Sequence, residues 1–213
     1  MGKADEDGSG ASRLNLNFVW RAQPGMDHCG KQALDELRGA LAAGASSNQS
    51  HKKDKTPLAY ACEIGARAAA EILLDHGALP SKRNGIGKTP LMEAASAGQV
   101  ELVKLMLARG ALPSEAWTLE SGEEPGSSCM GVTALHLAAG AGSQDCVEAL
   151  MDAGADPLAK SEWTEMTPAD IARHNRHVQV ATFIEWKIAQ GHALEIAEAA
   201  AMASSSGGGK LRL

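Results

Sequence analysis

The feature that most constrains this 213-residue chain is internal repetition. Thr56-Pro57-Leu58, Thr89-Pro90-Leu91, Thr133-Ala134-Leu135 and Thr167-Pro168-Ala169 recur along it at near-regular intervals, the second of which is lengthened. Gly77-Ala78, Gly110-Ala111 and Gly154-Ala155 each follow the threonine before them at one constant interval. Two signals recurring in phase describe a stack of like units. Each unit is too small to bury its apolar face alone and must bury it against a neighbour.

Each signal has a local meaning. A threonine hydroxyl caps a helix start, and proline suits the first helical position, where a missing N–H leaves nothing unpaired. Glycine ends a helix in the left-handed region at little cost. The spacing predicts helix pairs over 57–64 with 67–76, 90–97 with 100–109, 134–141 with 144–153 and 168–174 with 177–188. Alanine is the commonest residue, and aromatic side chains make up only 3%. That composition suits closely packed helices and leaves little material for a β-sandwich. Ala94, Ala95, Ala138 and Ala139 let neighbouring units approach, and Leu102, Val103, Leu105 and Met106 fill the space between layers. Strand content is expected to be close to nil.

A 33-residue period with Thr-Pro-Leu and a following Gly-Ala resembles the ankyrin repeat, and residues 133–138 read T-A-L-H-L-A, one substitution from that family's pattern. The resemblance is strong over 50–188. It implies an all-α ankyrin-repeat solenoid of four clear repeats plus a degenerate N-terminal repeat. The clear repeats occupy about 51–83, 84–127 with an 11-residue insertion, 128–161 and 162–188. The degenerate one, 23–50, rests on Gly44-Ala45, which stands as far before Thr56 as Gly77 stands before Thr89. Gln23-Pro24 then takes the Thr-Pro place, and Leu34, Leu37 and Leu41 line a second helix. Residues 1–22 read as an N-terminal arm, 189–203 as a helical cap with a further segment after Gly191, and 204–213 as a flexible tail. The resemblance also implies that His136 is a structural hydrogen-bonding group. Partners would be held on the concave face formed by finger tips and first helices.

A net charge of −6 disfavours a nucleic-acid backbone as the primary ligand. No apolar run approaches a membrane span, and no secretory pattern opens the chain. Met1-Gly2 suggests acylation, but Glu6 stands where that signal needs Ser or Thr. Cys29, Cys62, Cys129 and Cys146 form no paired framework, so reduced thiols in the cytoplasm or nucleus are expected. Cys62 and Cys146 read as small buried hydrophobes. His174 and His177 stand three apart with no third ligand near in sequence. No cofactor or metal is expected, and the chain reads as a monomer.

The fingers between repeats carry the functional signal. Formal charge runs +2 on His51–Lys55, +3 on Ser81–Lys88, −4 on Leu112–Val132 and −2 on Asp156–Met166. A sign change between neighbouring fingers makes an oriented docking edge, while plain solvation of wet loops is the competing account. The insertion carries Trp117, Leu119, Gly122, Pro125 and Gly126, which favour a loop. Trp117 is expected to be exposed, beyond reach of neighbouring repeats, and to anchor a partner, the alternative being that it folds onto its own loop. The candidate partner-binding residues are Lys52, Lys53, Lys55, Glu63, Arg83, Ile86, Lys88, Trp117, Met130 and Trp163. They describe a non-catalytic module for a protein partner: adaptor, regulator or assembly subunit. A second reading is a structural subunit held by terminal arms, with Leu14, Leu16, Phe18 and Trp20 as one arm. A third is an enzyme with 112–132 as a lid carrying Glu123, Glu124 and Cys129, which needs a second reacting group and an enclosed pocket.

Overall fold

A computed structural model describes residues 27–49, 55–118, 129–162 and 164–206 of the chain. Its elements are α1 (Asp27–Ala42), α2 (Pro57–Ile64), α3 (Arg67–Asp75), α4 (Pro90–Ser96), α5 (Val100–Ala108), β1 (Ala116–Thr118), β2 (Cys129–Thr133), α6 (Ala134–Gly140), α7 (Gln144–Asp152), α8 (Pro168–His174) and α9 (Val178–Ser206). The four helix pairs lie where the repeat places them. Thr56, Thr89 and Thr167 accept the N–H of Ala59, Met92 and Asp170 at 3.2, 3.3 and 3.3 Å.

The turn inside each pair has a period of its own. At one constant interval after each threonine stands a residue of positive φ: Gly65 (78°), Gly98 (68°), Gly142 (73°) and Arg176 (67°). This left-handed residue reverses the chain between first and second helix. The corresponding place in the N-terminal segment, one repeat period before Gly65, is Gln32. No chain reversal occurs there, and α1 runs unbroken for 16 residues. The helix pair expected over 23–50 is thus one helix among the described residues. The other end departs for the same reason. Ile188 stands where Gly77, Gly110 and Gly154 stop the earlier second helices, so α9 continues for 29 residues. The separate segment expected after Gly191 is part of that one helix.

First helices α2, α4, α6 and α8 pack side by side in one layer, and α3, α5, α7 and α9 form the second, with α1 against α3. Ala94, Ala95, Ala138 and Ala139 are fully buried between first helices, where larger side chains would force them apart. Leu58, Leu91, Leu102, Met106, Leu135, Leu150 and Ile184 continue one core through the layers. Cys62 and Cys146 are buried free thiols within it, and burial pushes both thiol pKa values up.

The strand content is small but structured. β1 and β2 pair antiparallel, with Ala116 opposite Thr133 and Thr118 opposite Cys129. They bring the two ends of the insertion together, so it leaves and rejoins the stack at one place. Residues 119–128 lie outside the described part.

Candidate partner-binding edge

Finger two is organised by a buried amide. Asn84, 5% exposed, accepts the N–H groups of Ile86 and Lys88 at 3.2 and 2.9 Å through Oδ1. Its Nδ2 donates to Glu93 Oε1 on α4 at 2.8 Å. The side chain thus closes the turn and ties it to the first helix. Backbone bonds from Asn84 N to Lys88 O and from Gly87 N to Asn84 O, both 2.8 Å, complete it. Sequence reasoning misses both Asn84 and Glu93. The legible signal is an Asn shortly before a Gly, ahead of the capping threonine; the partnership with Glu93 has none.

Finger three docks onto finger two. Trp117 Nε1 donates to Ile86 O at 2.5 Å, and Lys88 Nζ lies 4.5 Å from the indole centroid. Arg83 Nη1 donates to Gly87 O at 2.9 Å and to Ala116 O at 2.8 Å, and Nη2 lies 3.8 Å from Glu115 Oε2. Trp117 is half-buried and packs against the core. The expectation that it stands beyond reach of neighbouring repeats is therefore corrected; the alternative that it folds onto its own loop concerns residues 119–128, which lie outside the described residues. Finger two projects far enough to meet it, because Asn84 holds the turn upright. Part of the opposition between basic and acidic fingers is spent internally, Arg83 against Glu115 and Lys88 against the indole.

Arg83, Ile86, Lys88 and Trp117 thus form one cluster. Ile86 remains 45% exposed, and Lys82 on the same finger is exposed as well. Lys55 and Glu63 form a separate pair at 2.5 Å, from the base of finger one to the end of α2. Met130 lies on β2, with its side chain outside the described part, and Lys52, Lys53 and Trp163 lie outside the described residues. The same holds for Glu123 and Glu124, which the lid reading requires, and for the 14–20 arm.

His136 has the structural role expected of it. Its Nδ1 accepts the Thr133 N–H at 3.1 Å and lies 2.9 Å from the Thr133 hydroxyl. Nε2 lies 3.3 Å from Met166 O in the next finger, which requires the Nε2–H tautomer. Burial lowers its pKa against the opposing pull of the Met166 carbonyl. Among the described residues no group of three His, Cys, Asp or Glu side chains is placed to hold a metal. None of the described helices is long and apolar enough to cross a membrane.

A one-row solenoid of helix hairpins with projecting fingers defines a class of repeat scaffold. The chain belongs to the ankyrin-repeat family. Family models match residues 26–116, described as ankyrin repeats in three copies, and 130–162, described as an ankyrin repeat. Ankyrin repeat and SOCS box protein 16 of Mus musculus is 37% identical over 78 residues, which is 37% of this chain and 17% of that relative. The chain therefore matches less than a fifth of that relative's length. Ankyrin repeats are in general protein–protein interaction modules, and protein partners follow from membership.

Proposed function

We propose that this chain is a non-catalytic module that binds a partner protein through its finger tips and concave face, as adaptor, regulator or assembly subunit in the cytoplasm or nucleus. The observation that supports this best is the fastening of fingers two and three into one preformed edge by Trp117, Arg83 and Asn84. A partner meeting that edge orders little of it, so contact energy is not consumed in immobilising loops. Lys82, Ile86 and the outer edge of Trp117 supply cationic and apolar contacts. Lys52, Lys53, Lys55, Glu63, Met130 and Trp163 are proposed as further contacts from their places in the sequence alone.

Affinity purification of the tagged chain beside an Ile86→Asp, Lys82→Glu double variant, followed by mass spectrometry, tests this. Both side chains are exposed, so the variant should melt like wild type while losing a stoichiometric partner. A partner retained equally by both would move the binding surface elsewhere. Turnover of a small molecule by the isolated chain would overturn the non-catalytic assignment.

A further inference from the structure

Helix α9 is 29 residues long, against nine for each of α3, α5 and α7. Its inner side places Val180, Ala181 and Ile184 in the core. On the opposite side, at helical steps of three or four, stand Val178, Thr182, Trp186, Ala189 and Ala193, all exposed. Val178 is 59% and Trp186 54% exposed. The same row on the preceding second helices is largely polar or charged: Arg67, Glu71 and Asp75 on α3, Lys104 on α5, and Gln144, Glu148 and Asp152 on α7. There it helps to hold the next repeat, Asp75 meeting Arg109 at 3.0 Å and Asp152 meeting Lys187 at 2.6 Å. Trp186 occupies the place of Asp75 and Asp152, at the same interval from its repeat's threonine. No later repeat among the described residues meets it.

We propose that this row is a dimerisation surface, on which α9 packs antiparallel against α9 of a second copy of the chain. The row continues the interface by which each repeat holds the next, with charge replaced by apolar surface. It is also self-complementary. A two-fold axis between residues 189 and 190 sets each bulky Trp186 over the small Ala193 of the other copy, which stands two helical turns, or about 10.5 Å, along the helix. The opposite end of the stack is unlike it. Lys31, Asp35 and Arg38 are exposed on α1, and Asp35 pairs with Arg38 at 3.0 Å. Among the described residues of that end an apolar row has no complement, which favours a symmetric pair over head-to-tail propagation. The surface is separate from the finger edge and replaces the monomer expected from the sequence.

Sedimentation velocity of the full chain, from low micromolar to hundred-micromolar concentration, tests the proposal. The expected result is a reversible shift from one to two chain masses. Trp186→Glu and Ala193→Arg should each weaken association at least tenfold with circular dichroism and melting unchanged. Leu158→Glu, which alters another exposed apolar residue, should leave association intact. If Trp186→Glu lowers folding, Ala193→Arg decides alone, because Ala193 is exposed and borders no core. A single chain mass at every concentration would overturn the proposal. So would a dimer indifferent to both substitutions, or one abolished by Leu158→Glu.

Discussion

His136 joins two repeats through one ring, taking a backbone N–H from its own cap and donating to the Met166 carbonyl of the next finger. Alanine there leaves both groups unpaired, at an expected cost of about 1–3 kcal/mol in urea unfolding. The same ring makes stability depend on pH. Its folded pKa lies below the free imidazole value of about 6.5. As pH falls through that value the unfolded chain takes up a proton first, so stability present above it declines below it. A His136→Gln variant should lose this part of the slope as pH falls below about 6.5. Arg176 and Glu165 show the opposite economy. They hold φ of 67° and 51° in places where other repeats carry Gly65, Gly98 and Gly142, or Gly87 and Gly131. Arg176→Gly and Glu165→Gly should each raise stability by about 0.5–1 kcal/mol, read as a higher urea midpoint. Unchanged midpoints would show that local bonds already offset the strained backbone.

At the scale of elements, the helices were legible because cap, proline and glycine act within one or two turns. The threonine spacing gives their order, and the structure reproduces the predicted pairs with small shifts at their ends, save the last helix, which runs on to Ser206. The fingers were less legible. Trp117 looks isolated in sequence because its partner, the Ile86 carbonyl, belongs to the preceding finger. Trp117→Ala should therefore destabilise finger three, by about 1–2 kcal/mol, and speed amide exchange at Ala116–Thr118. Normal exchange with weakened partner binding would return the indole to a purely external role. Arg83→Gln should loosen the same ribbon, since it removes the charged donor to Ala116 O.

Over the whole molecule the stack shares one core, so damage at its centre should spread. Leu91, 1% exposed in α4, belongs to the shared core; Leu91→Ala should cost about 2–5 kcal/mol and lower one cooperative transition. The ion pairs between second helices, such as Asp75 with Arg109 and Asp152 with Lys187, are exposed and well screened. Raising salt to molar concentration should move the melting midpoint much less than Leu91→Ala does. A larger effect of salt would show that charge, and not burial, holds the repeats together.

By itself the sequence determined the repeat, the class of fold and the boundaries of the helices in the central repeats, because each depends on chemistry confined to a few neighbouring residues. It also carried the departures at the ends, Gln32 standing where three repeats carry the reversing glycine and Ile188 where three carry the terminating one. Only tertiary structure decided which finger residues face outward. Arg83, Lys88 and Trp117 have side chains fit for a partner, yet their first contacts are with each other and with backbone brought close by stacking. Exposure of the Val178–Ala193 row was decided in the same way. Its residues alternate with core residues on one helix, and only the packing of α8 and α7 against one side shows which row is left in water.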